Sequence, residues 1–190
     1  MFTHLVVGLG NPEGKYFSTY HNVGFVAAET LAEKLGGEFK KKGNQMLCKV
    51  GSVLILKPLT YMNLSGQAVV AVTRKHKISA ENVIVVCDDL YIDKGNIRVS
   101  FGGSGGGHNG LGSINELLGS TQYTKVRIGI KSEKDVINKQ YVLKKIDTDS
   151  KPLVDEAIKK AVDAVTALLD GEKFELVQGK WNARNNKDTK

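Results

Sequence analysis

Apolar positions along the chain follow two periods, and the alternation between them predicts the elements. His4 to Gly8 is a short apolar run ending in a glycine-rich turn, which predicts a buried first strand. Val23, Ala27, Leu31 and Leu35 recur at helical spacing, and Gly36-Gly37 stops that helix. Met46 to Lys57 predicts two strands folded around Gly51-Ser52 as a hairpin. Leu64 to Lys75 predicts a helix. Val83 to Cys87 is a continuous apolar run, the mark of a strand covered on both faces. Ile97 to Phe101 and Val126 to Ile130 predict further strands, with a helix near Leu111 to Leu118 between them. Ser150 as cap, Pro152 in the first turn and the acids Asp155-Glu156 open a last helix, which runs to Leu169 and ends at Gly171. The tail from about residue 182 is polar and predicts no element. Hairpins and crossovers together predict one α/β domain over residues 1–190, a twisted mixed sheet flanked by helices.

Composition narrows the setting. At 190 residues the chain is long enough for one domain with a real core. No apolar run approaches the ~18 residues that cross a bilayer. The N-terminus MFTHLVVGLGNP lacks a basic region and a long apolar stretch, so it does not read as a signal peptide, and a cytoplasmic location is expected. Cys48 and Cys87 sit in apolar stretches and read as small buried hydrophobes. No spacing resembles a zinc or iron–sulfur site. The net charge of +7 permits a nucleic-acid partner without requiring one.

The residues with chemistry lie just past predicted strands, where open α/β sheets place their sites. Asn11 follows the first strand, Asp88-Asp89 the fourth, and His108-Asn109 the glycine run 102–107. Asn63 precedes one helix and His21 another. Four histidines compete as general base. His4 opens a strand and His76 ends a basic helix, both ordinary structural positions. His21 stands beside Tyr16 and Asn22 in a loop entering a helix, and an imidazole suits base catalysis at neutral pH. Asp88 is the candidate to orient it, although an Asp-Asp pair is more often a cap or a surface turn. Asn11, Asn63 and Asn109 can each be turn residues. Together they offer uncharged groups that hold a peptide backbone and an ester oxyanion, which suits acyl transfer to water better than redox chemistry.

Three familiar motifs fail on inspection. Gly8-Leu9-Gly10 begins a dinucleotide fingerprint, but Glu13 stands where the third glycine belongs. Gly102-Gly103-Ser104-Gly105-Gly106 matches a nucleophile elbow, yet glycines follow the serine and no histidine comes after His108. The same run lacks the lysine ending of a P-loop.

Five ordered segments resemble the bacterial peptidyl-tRNA hydrolase family: VVGLGNPEGKYFSTYHNVGF (6–25), KPLTYMNLSGQAV (57–69), VVCDDLYIDKG (85–95), GGSGGGHNGL (102–111) and VRIGI (126–130). The resemblance implies a monomeric, cytoplasmic α/β hydrolase that uses no cofactor or metal. Its substrate would be peptidyl-tRNA, and its reaction hydrolysis of the ester joining an N-blocked peptide to the tRNA 3′ end. It implies His21 as general base, Asp88 as its partner, and Asn11 as sensor of the blocked amino group. Asn63 and Asn109 would bind substrate and support the reacting centre, with Tyr16 and Tyr61 near the terminal nucleotide. Two positions depart from the family pattern. Tyr91 interrupts the D-x-L-D-L-P stretch, and Ser100 stands where a phosphate-gripping lysine is common, leaving Arg98 and Arg127 as candidates for that contact. A catalytically silent RNA-binding module and a small-substrate esterase are the competing readings.

Overall fold

The computed structural model describes residues 1–132 and 140–182. Strand β1 (His4–Gly8) shows how its run of apolar residues is used: Leu5 and Val7 face one side of the sheet and Val6 the other, all fully buried. β1 lies between β4 (Val53–Pro58) and β5 (Val83–Asp89), parallel to both. β7 (Thr124–Gly129) extends the parallel set beyond β5. Antiparallel strands close the two sides: β6 (Ile97–Phe101) beside β7, and β3 (Gln45–Val50) then β2 (Phe39–Lys41) beside β4. The order β2-β3-β4-β1-β5-β7-β6 gives a mixed seven-stranded sheet.

Each face is covered by helices whose apolar stripes meet the alternating strand residues. Helices α1 (Val23–Lys34), α4 (Lys151–Leu169) and α5 (Phe174–Asn182) pack on the side of Val6, Ile84, Val86 and Val126. Helices α2 (Ser65–His76) and α3 (Asn109–Leu118) cover the side of Leu5, Val7, Val85 and Cys87. Both cysteines are buried and unpaired. Among the described residues no helix is long and apolar enough to cross a membrane.

Three features differ from the sequence expectation. The short edge strand β2 and helix α5 were not anticipated. Ser150 does not cap α4 with its side chain. Its backbone N–H and its hydroxyl instead donate to the two carboxylate oxygens of Asp147, at 2.8 and 2.9 Å, so Asp147 organises the turn before α4. The first turn of α4 carries no acid. The polar tail lies outside the described residues apart from its first position, Asn182, which ends α5 and bonds both polar groups of Val99 on β6.

Two glycines set the close approach that matters for the site. A Cβ on Gly24 would stand 2.5 Å from the carbonyl oxygens of both Leu9 and Val86, and one on Gly8 would stand 2.2 Å from the Gly24 oxygen. Helix α1 therefore begins directly against the carboxyl ends of β1 and β5, and the residue three before Gly24 is His21.

Candidate active site

The chain order reverses about β1, with β4 on one side and β5 on the other, so a crevice opens at the carboxyl ends of these strands. A cavity of about 790 Å³ occupies it. Asn11 after β1, His21 before α1, Tyr61 and Asn63 after β4, Asp88 as the residue before the last of β5 and Asn109 opening α3 all line this cavity. Arg127 lines it from β7. Tyr16 and Arg98 are not in the lining. Tyr16, half-buried under the Lys15 ammonium, ends an otherwise exposed turn, and Arg98 is exposed on β6, paired in register with Arg127.

At the centre, Asp88 Oδ1 lies 2.7 Å from His21 Nδ1 and 3.0 Å from His108 Nε2. Burial by itself would push Asp88 upward. The facing imidazoles of His21 and His108 outweigh it and hold the carboxyl well below the usual carboxylate range. An ionised carboxylate only accepts, so both ring nitrogens must carry hydrogen and donate. His21 is thereby held as the Nδ1–H tautomer, leaving its Nε2 lone pair in the cavity.

His108 differs because both its nitrogens are engaged. Its Nδ1 accepts from the backbone N–H of Gly110 at 3.1 Å and of Leu111 at 3.4 Å, capping α3. Of the two histidines, only His21 can take a proton from a bound water. The side-chain atoms of His21, Asp88 and His108 also lie close enough together to hold a metal ion, a juxtaposition that no spacing in the sequence indicates. An ion there would have to displace the two hydrogens that now join the imidazoles to the carboxylate.

Asn11 is locked by a residue that sequence reading placed only beside the base. Asn22, fully buried, accepts from the Asn11 backbone N–H and donates to its carbonyl, each at 2.9 Å. The Asn11 side-chain oxygen accepts from Met62 N–H at 3.2 Å. The Asn11 amide NH₂ is thus the part left to face a ligand. The doubled Asn11–Asn22 pairing could have been suspected from two asparagines flanking a strand-to-helix turn, but not assigned.

Asp89 serves a different purpose from Asp88. Its Oδ1 accepts from Tyr91 N–H at 2.8 Å and its Oδ2 meets Arg127 Nη1 at 3.4 Å. Arg127 Nη2 also donates to the Ser104 carbonyl at 3.1 Å, which ties the glycine loop to β7. Opposite Ser100 on β7 is the fully buried Lys125. Its ammonium donates to the carbonyls of Gly102 and Thr121 at 2.7 and 3.3 Å, and burial brings its pKa down to about 8. Lys125 therefore anchors the start of the glycine loop from inside and does not reach solvent. Gly102, Gly103, Gly106 and Gly107 take positive φ, which lets the loop turn back and present His108 to Asp88.

A family model described as Peptidyl-tRNA hydrolase matches residues 5–189. The peptidyl-tRNA hydrolase of Thermoanaerobacter sp. (strain X514) is 43% identical over 185 residues, covering 94% of this chain and 99% of that protein. The peptidyl-tRNA hydrolase of Clostridium acetobutylicum is 39% identical over 187 residues, covering 95% of each. Among solved structures, the peptidyl-tRNA hydrolase of Acinetobacter baumannii superposes with a TM-score of 0.87 at 35% identity, covering 95% of both chains.

Proposed function

The chain belongs to the peptidyl-tRNA hydrolase family and hydrolyses the ester of peptidyl-tRNA, and from that premise we propose how the residues of this cavity carry the reaction. The observation that carries the reading is the 2.7 Å contact that leaves His21 Nε2 as a free base while Asp88 holds its other nitrogen. His21 Nε2 takes a proton from water, and the hydroxide adds to the ester carbonyl. Asp88 stabilises the imidazolium that forms. The developing oxyanion is met by the Asn109 side chain, because the amides of Gly110, Leu111 and Gly112 are already taken by His108. As the tetrahedral intermediate collapses, the imidazolium returns the proton to the ribose oxygen, which leaves with the tRNA.

Selectivity for a blocked amino end follows from Asn11. With its oxygen held by Met62 N–H, it presents only donors. A donor can bond the carbonyl of an acylated nitrogen, whereas a free ammonium has no lone pair to offer. Asn63 and Tyr61, both exposed at the cavity, supply contacts along the peptide and the terminal nucleotide, with Tyr16, outside the lining, as a further aromatic for that nucleotide. In this reading the enzyme acts as a monomer in the cytoplasm.

Arg98 and Arg127 grip phosphates near the acceptor end in this reading, and a salt titration tests it. Affinity for whole peptidyl-tRNA should fall with salt by a log–log slope of about 0.7–0.9 per phosphate neutralised. Arg98→Ala should flatten that slope by about one such unit and spare cleavage of a peptidyl-nucleotide fragment lacking the stem. Arg127→Ala should flatten it too, but should also weaken fragment cleavage, because it strips Asp89 of its cation inside the cavity. Equal slopes for fragment and whole substrate would show that the tRNA body is not held electrostatically.

A further inference from the structure

His108 spans two parts of the site. On one side its Nδ1 holds the N–H groups of Gly110 and Leu111, a capping role usually taken by serine, threonine, aspartate or asparagine. On the other its Nε2–H reaches Asp88 Oδ1 at 3.0 Å. None of the usual capping side chains is long enough to do both. The same Asp88 oxygen receives His21, whose ring centre lies 5.0 Å from that of His108. A carboxylate held by a single hydrogen bond can still swing about its side-chain torsion, whereas two donors from different elements fix its plane. Both contacts are in a nearly dry setting, with the side chains of Asp88 and His108 only 3% and 9% exposed.

We propose that His108 is a positioning residue for the hydrolysis. With its hydrogen on Nε2 and its lone pair on Nδ1, it holds the Asp88 carboxylate toward His21. By the same ring it holds the first turn of α3, and with it Asn109, in register with that carboxylate. The base just before α1 and the oxyanion group at the start of α3 are thus located by one imidazole. This rests on the reading of His21 and Asp88 as base and partner.

Two substitutions separate the two contacts. His108→Asn places an oxygen near the position of Nδ1, so the cap survives while the donor to Asp88 is lost. His108→Gln places an amide NH₂ near the position of Nε2, so the donor is restored. On peptidyl-tRNA, His108→Asn should keep the wild-type melting temperature and KM and lower kcat about 10- to 100-fold, the range a lost hydrogen bond to a charged group spans. His108→Gln should recover much of that kcat. Nitrogen-15 spectra of the imidazoles should show His108 protonated on Nε2 and accepting at Nδ1. The inference is overturned if His108→Asn turns over like wild type, if both variants lose kcat in step with melting temperature, or if Nδ1 bears the hydrogen. His21→Ala assayed beside them separates the causes. If it retains turnover, the base assignment itself has failed; if it is inert while His108→Asn is unaffected, only the role of His108 has failed.

Discussion

His21→Ala should lower turnover on peptidyl-tRNA by about 10²–10⁴-fold, the usual contribution of a positioned general base, and leave the fold intact. Among the described residues that line the cavity, no other imidazole is free to take over. His108 is the nearest imidazole, but its Nδ1 is held by the α3 amides and its Nε2–H by Asp88. The fold should survive because Asp88 keeps its contact with His108 when the His21 ring is gone, so the buried carboxylate is not left without a partner. Circular dichroism and the melting temperature check the second half of the expectation. A folded variant that keeps most of its rate would remove His21 from the mechanism.

Asp88→Asn should be nearly as damaging, by roughly 10²–10⁴-fold, through charge and not through shape. The asparagine oxygen can still accept from both imidazoles, so geometry is largely kept. What disappears is the negative charge that stabilises the imidazolium as His21 takes the proton. Asp89→Asn should cost much less, since Asp89 touches Tyr91 N–H and Arg127 and neither imidazole. Steady-state rates of the two variants decide it, and a larger loss at Asp89 would reverse the roles of the pair.

Much of the fold was legible because its elements declare themselves by period. β1 and β6 span the residues their apolar runs mark, and α1, α2 and α4 end within one residue of the predicted limits. β2 was missed because an edge strand of Phe39, Lys40 and Lys41, with both lysines exposed, has no alternation to read. α5 was missed because only Val177 is buried from it, too little for a stripe. At α4 a serine in the right place suggested a cap, but Asp147 was in reach to bond it first.

The site divides in the same way. His21 and Asp88 are 67 residues apart, yet one lies just before a predicted helix and the other just past a predicted strand, and the docking of α1 against the carboxyl ends of β1 and β5 brings them together. The role of His108 depends on where a glycine loop turns back, which positive φ angles decide and no periodicity reports. Arg127 could be singled out as a cation but not its pairing with Asp89, and the clamp on the loop by Lys125 was hidden because an internal lysine looks like any other in sequence.

The most direct measurement is release of free tRNA and free peptide from purified peptidyl-tRNA by the purified protein, with unblocked aminoacyl-tRNA beside it. Cleavage of the blocked substrate, sparing of the unblocked one, and loss of cleavage in His21→Ala are the results expected. Binding of peptidyl-tRNA without release of either product would contradict the account.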